Sequence, residues 1–84
     1  MLRGIVIGNI VSTRKQESLV GSKFMEVQLI EKGVKIDKYI IAVDSVGAGI
    51  GEEVLLTTGS SARLALAREN VPTDAVIVGI VDPV

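Results

Sequence analysis

The sequence predicts a mainly β domain, a small five-stranded β-barrel, closed or nearly closed, with one short α-helix before the last strand. Three observations carry that reading. Glycines and turn residues cut the 84 residues into short segments rich in Val and Ile, the residues that strands favour. Between Lys23 and Glu31, Met25, Val27 and Leu29 alternate with Glu26 and Gln28, the period of a half-buried strand. Only Ala62 to Glu69 changes to a helical pattern. Closing five short apolar strands into a barrel hides edges that would otherwise template aggregation. An open sheet covered by the helix is the alternative arrangement.

The elements follow in order. Leu2 to Val11 reads as the first strand, rich in Ile and Val and interrupted by Gly4 and Gly8. Ser12 to Ser22 is polar, carries Arg14 and Lys15, and reads as a surface loop. After the second strand, Glu31-Lys32-Gly33 supplies a turn in which Gly33 is free to take positive φ. A third strand runs from Ile36 to Asp44, with Tyr39, Ile41 and Val43 on one face. Ser45 to Gly51 holds Gly47, Gly49 and Gly51, too many glycines for a regular element, and Glu53 to Thr58 is the fourth strand. Ser60 or Ser61 is placed to cap the helix, and Pro72 stands just beyond its end. Asp74 to Asp82 is the fifth strand, and residues 1–84 form a single domain without repeat or linker.

Composition removes most catalytic classes. There is no Cys and no His, so disulfides, thiolate sites, the usual general base and the commonest metal ligand are all missing. Nine Lys and Arg against ten Asp and Glu leave a formal charge of −1, unlike the clustered cations that hold nucleic acid. A five-stranded barrel is OB-like, but the usual single-stranded ligand needs stacking aromatics, and Phe24 and Tyr39 are the only two. The longest apolar run, Ala75 to Val81, is far below the roughly 20 residues of a membrane helix. Gly4 to Val11 lacks a signal cleavage pattern, so the expected location is the cytoplasm. The carboxylates Asp44, Glu52, Glu53, Asp74 and Asp82 read as solvated charges at strand ends, and Asp44-Ser45-Val46-Gly47 lacks the ligand spacing of a calcium loop. The expectation is no catalytic residue, no metal, no cofactor, no nucleic acid and no membrane.

One pattern goes further. A sheet with one solvated face alternates apolar and polar residues, yet Ile5-Val6-Ile7 and Val76-Ile77-Val78 do not, and Ile40-Ile41-Ala42-Val43 hardly does. A small barrel has one interior, and a short helix cannot cover every outer face. Contact with a neighbouring subunit is the expected destination of the remainder.

Two motifs have chemical readings. Gly47-Ala48-Gly49-Ile50-Gly51 has neither the spacing nor the following helix of a dinucleotide loop, and no Gly-Lys-Ser/Thr follows it. A tight loop, or close backbone approach between subunits, fits better. Gly59-Ser60-Ser61-Ala62-Arg63 offers a helix start with two hydroxyls and a guanidinium, which suits a small anion or metabolite. A helix cap followed by an Arg anchoring an inter-subunit contact suits it better, since catalytic partners are lacking. A Ser nucleophile lacks its base.

Together these stretches resemble the EutN/CcmL family, the small vertex proteins of ethanolamine-utilisation and carboxysome-type bacterial microcompartment shells. The resemblance runs through Gly8 with Val11-Ser12-Thr13, Leu19-Val20-Gly21-Ser22-Lys23, Ala42-Val43-Asp44-Ser45-Val46-Gly47-Ala48-Gly49 and Gly51-Glu52. It continues through Gly59-Ser60-Ser61-Ala62-Arg63, Pro72-Thr73-Asp74-Ala75 and Val78-Gly79-Ile80-Val81-Asp82. It implies an OB-like barrel in a cyclic homo-pentamer that caps shell vertices among hexameric shell proteins, a structural protein and not an enzyme. The sequence stops soon after Ile80-Val81-Asp82, without the extension of some carboxysomal members, and the expectation from that is a catabolic compartment. Structural or subunit-interface roles are expected of Asp44, Gly47, Gly49, Gly59, Ser60, Ser61, Ala62 and Arg63. The rival functions are a small-anion or metabolite-binding oligomeric β-barrel using Ser60, Ser61 and Arg63, and an oligonucleotide-binding OB module.

Overall fold

The computed structural model describes residues 1–11, 15–65 and 74–82, apart from the side chains of Ser18, Arg63 and Leu64. Alternation does what the sequence asks of it in β2 (Phe24–Glu31), where Met25 and Val27 are fully buried between half-exposed Glu26 and Gln28. Strand β1 (Leu2–Ile10) pairs antiparallel with β2 on one side and with β4 (Glu53–Thr58) on the other. Strand β3 (Val34–Asp44) pairs antiparallel with β2, and β5 (Ala75–Ile80) pairs antiparallel with β4. A short parallel seam, Val43 with Val76 and Asp44 with Ile77, joins β3 to β5 and closes the barrel in the order β1-β2-β3-β5-β4. The open-sheet alternative is thereby excluded.

Gly4 sits inside β1 for a steric reason. A Cβ there would run into Val27 Cγ1 and lie 2.7 Å from the Gln28 carbonyl oxygen, so β1 and β2 approach too closely for any side chain. The β2–β3 hairpin is tighter than expected. Lys32 (φ 52) and Gly33 (φ 76) both take the left-handed conformation of a two-residue turn, whose twist matches the strands. The ladder therefore closes at Glu31 with Val34, and β3 begins two residues before Ile36.

The interior is aliphatic: Val6, Met25, Val27, Ala42, Ala48, Val54, Leu56, Ala75 and Ile77 form one buried cluster. A second cluster lies outside the barrel wall, where Ala62 of helix α1 (Ser60–Ala65) packs on Val43 and Val76, with Phe24 and Val78 beside them. The helix thus explains why Val76 and Ile77 are both apolar: one lies under α1 and the other faces the interior. It leaves Ile7 (40% exposed), Tyr39 (51%) and Ile41 (53%) on the outer surface. The helix also begins at Ser60 itself, so the two serines are its first helical residues. Gly59, at φ +67, makes the preceding turn and accepts the Ala62 N–H. The expected extension to Glu69 and the stop at Pro72 lie outside the described residues.

Candidate functional site

The sharpest polar geometry is in the glycine-rich loop between β3 and β4. Asp44, the last residue of β3, turns its carboxylate into the loop that follows. Oδ1 accepts the N–H groups of Val46 (3.0 Å) and Gly47 (3.1 Å), and Oδ2 accepts that of Ala48 (2.9 Å). An Asp side chain that bonds the backbone two to four residues on is a turn-former, and Gly47 at φ +82 supplies the left-handed step the turn needs. The Asp44 side chain is 2% exposed, which corrects the expectation of a solvated charge. Lys23 Nζ stands 3.9 Å from Oδ2 and donates to the Ala48 carbonyl at 3.4 Å.

A second carboxylate finishes the loop. Glu52 Oε1 accepts the Gly49 N–H at 2.6 Å, and the Glu52 N–H returns to the Gly49 carbonyl at 3.1 Å. The loop is then pinned to β1, with Gly51 N–H to the Val6 carbonyl (2.8 Å) and Val6 N–H to the Glu52 carbonyl (3.0 Å). Ser45 Oγ donates to the Ile77 carbonyl at 2.6 Å, tying the loop to β5. The consequence is that Ala48 lies completely buried in the core, while Val46 (40%) and Ile50 (62%) point outward.

This geometry decides the phosphate question. The amides of Val46, Gly47, Ala48, Gly49 and Gly51 each already bond a protein oxygen, so the loop presents no cradle of free donors. Among the described residues no group of three or more His, Cys, Asp or Glu converges as a metal site.

The other expected residues lie beside the same seam. Gly59 donates its N–H to the Asp74 carbonyl at 2.8 Å, Ser60 and Ser61 are exposed, and Ala62 is buried on Val43 and Val76. Since Val43 and Asp44 pair with Val76 and Ile77, the fold brings the start of α1 and the carboxylate-held loop to the two ends of one short ladder. The Arg63 side chain lies outside the described set. Sequence reasoning missed Lys23, Ser45 and Glu52 as loop-holding residues. The signal for one was present: a carboxylate three residues after a loop glycine, as Glu52 follows Gly49.

Comparison with known proteins agrees with this picture. Residues 1–82 match the family described as "Ethanolamine utilisation protein EutN/carboxysome". The carboxysome shell vertex protein CcmL of Gloeobacter violaceus is 48% identical over 82 residues, covering 96% of this chain and 82% of that protein. The solved structure of Gloeobacter violaceus CcmL aligns with a TM-score of 0.93 at 46% identity, over 100% of this chain and 88% of that one. The bacterial microcompartment shell vertex protein GrpN of Rhodospirillum rubrum is 47% identical over 85 residues, 100% of this chain and 96% of that protein. Its solved structure, of a pentameric microcompartment shell protein, aligns with a TM-score of 0.89 at 45% identity, over 100% of this chain and 96% of that one. The shell vertex protein EutN of Salmonella typhimurium is 42% identical over 85 residues, 100% of this chain and 86% of that protein. Carboxysomal and other relatives match at similar levels, so identity does not favour one kind of compartment. With a full-length match of this strength, on a closed barrel whose glycine loop is filled by its own carboxylates, the chain belongs to the EutN/CcmL family of microcompartment shell vertex proteins.

Proposed function

We propose that five copies of this chain form a ring that caps a vertex of a polyhedral microcompartment shell built mainly from hexameric tiles, and that the ring acts by shape and not by turnover. The observation that carries this is the full-length match to relatives named shell vertex proteins, one of them solved as a pentamer. A flat hexagonal sheet cannot close without fivefold corners, and a ring of five supplies one. Such a ring uses heterologous contacts, in which one patch meets a different patch on the next copy. The chain has apolar surface for this in Ile7, Tyr39 and Ile41, which the helix leaves uncovered. We assign structural or interface roles to Asp44, Gly47 and Gly49 in the loop, and to Gly59, Ser60, Ser61, Ala62 and Arg63 at the helix start.

The test has two stages. Native mass spectrometry of the purified chain should give a pentamer, and a stable monomer at micromolar concentration overturns the ring. Expression of cognate hexameric shell proteins with and without this chain, imaged by electron microscopy, should give closed bodies only when it is present. Indistinguishable closed shells in both samples, with no other vertex protein present, overturn the vertex role.

A further inference from the structure

The barrel is closed, but its wall has an open edge. Strand β3 is 11 residues long and pairs with β2 from Val34 to Val43. Its other side pairs with β5 only at Val43 and Asp44. From Val34 to Ala42 that second edge has no strand neighbour among the described residues. Two bonds fix which backbone groups face it. Asp44 N–H donates to the Lys23 carbonyl at 2.8 Å, so the even-numbered residues at this end of β3 face β2. Ser45 N–H is directed at the Ile77 carbonyl (3.4 Å), so the odd-numbered residues face the opposite way. In the regular register of Gln28 with Tyr39 and Glu26 with Ile41, the N–H and C=O groups of Tyr39 and Ile41 therefore point out of the sheet. Their side chains, 51% and 53% exposed, stand on the outer face beside them.

We infer that the open edge of β3 at Tyr39–Ile41 is a strand-addition site, and that its occupant is an extended segment of the neighbouring copy in the ring. The inference rests on the ring reading above. An unpaired strand edge with apolar side chains is a template for pairing, and natural proteins blunt such edges with lysines or cover them. The first device is visible on part of this strand. Lys35, Asp37 and Lys38 are exposed and charged along the outer part, which leaves Tyr39 to Ile41 as the part fit to pair. Every copy in a shell carries the same edge, so an assembly that left it open would invite indiscriminate edge-to-edge growth. A ring whose contacts are heterologous covers it with a different segment of the next copy, once per subunit.

The experiment is residue-resolved amide hydrogen exchange on the intact ring, with the oligomer checked by native mass spectrometry in the same buffer. Ile40 and Ala42 face β2 and serve as internal references for a protected amide. The expected result is that Tyr39 and Ile41 exchange as slowly as those references, roughly a hundredfold or more below an unprotected amide. Fast exchange at Tyr39 and Ile41 in a confirmed ring overturns this inference and leaves the ring reading standing. A chain that stays monomeric overturns both. Ile41→Pro gives an independent check, because it deletes an outward N–H that β2 does not use. It should keep the barrel's far-UV signature and lose the ring, and a variant that keeps both overturns the assignment.

Discussion

Asp44→Ala asks whether a buried carboxylate, and not the glycines around it, holds the loop at the mouth of the barrel. The carboxylate is 2% exposed and accepts three backbone N–H groups at 2.9–3.1 Å. The Ala48 amide is sheltered, and a bond from it to a charged acceptor contributes about 1.5–3 kcal/mol. Val46 and Gly47 are exposed, so water replaces much of what their amides lose, and each bond contributes about 0.5–1 kcal/mol. The Lys23 pair at 3.9 Å, with the lysine half exposed, adds little. The sum is about 2.5–5 kcal/mol, before any loss from freeing the Ala48 methyl out of the core. For a domain of this size that is a fall of at least about 10 °C in Tm. Asp44→Asn keeps one acceptor oxygen but turns an NH2 toward backbone donors, so it should fall between parent and Ala. Far-UV circular dichroism melts and urea unfolding, repeated at two protein concentrations to separate loop from ring effects, supply the measurement. An Asp44→Ala variant within about 0.5 kcal/mol of the parent would refute the reasoning.

Three further outcomes follow from named positions. Gly4→Ala should cost about 2–3 kcal/mol in urea unfolding, because its methyl meets Val27 and the Gln28 carbonyl. Gly8→Ala in the same strand, where a Cβ meets nothing within 4 Å, should be neutral or slightly stabilising; equal losses at both sites would defeat the close-approach account. Gly47→Ala should cost about 1–2 kcal/mol through its φ of +82 alone, since no atom crowds the new methyl, and an unchanged melting curve would deny that the turn needs that conformation. Arg63→Ala, at the helix start to which an interface role is assigned, should weaken the ring, moving its dissociation midpoint in concentration-dependent native mass spectra to higher protein concentration than the parent's. A midpoint identical to the parent's would remove Arg63 from the contact.

Local pattern made much of the fold legible. The alternation of Met25, Val27 and Leu29 placed β2, and Glu53–Thr58 matched β4 at both ends, because a strand's faces follow directly from its period. Period says which residues share a face, but not how far that face is covered. Tyr39, Ile41 and Val43 share the outer face of β3, yet Val43 is 3% exposed and the others about half, because Ala62 of α1 packs only over the end at Val43. The loop bonds of Asp44 and Glu52 had no signal in the composition for a related reason. Their partners are backbone amides, which every residue carries, so composition offers no contrast between a solvated Asp and one folded into its own loop. The left-handed Lys32 had no signal beyond the adjoining glycine.

The loop joins these levels of structure to the proposed role. A segment with glycines at 47, 49 and 51 would ordinarily be mobile, and docking it against a neighbour would lose much conformational entropy. Asp44 and Glu52 remove that freedom in advance. Their carboxylates bond four loop amides, Ala48 is anchored in the core, and Val46 and Ile50 are thereby held outward on a fixed backbone. In an enzyme, charged groups at a glycine loop would be aimed at a substrate; here they are directed into the loop itself, as shape requires and chemistry does not. Loop order and ring strength are then linked by preorganisation. An Asp44→Asn variant that still folds should weaken the ring, although no outward-facing contact side chain has changed. Concentration-dependent native mass spectra of that variant, taken below its melting range, measure the link: an unaltered dissociation midpoint would mean that the loop closes the barrel and does nothing for the assembly.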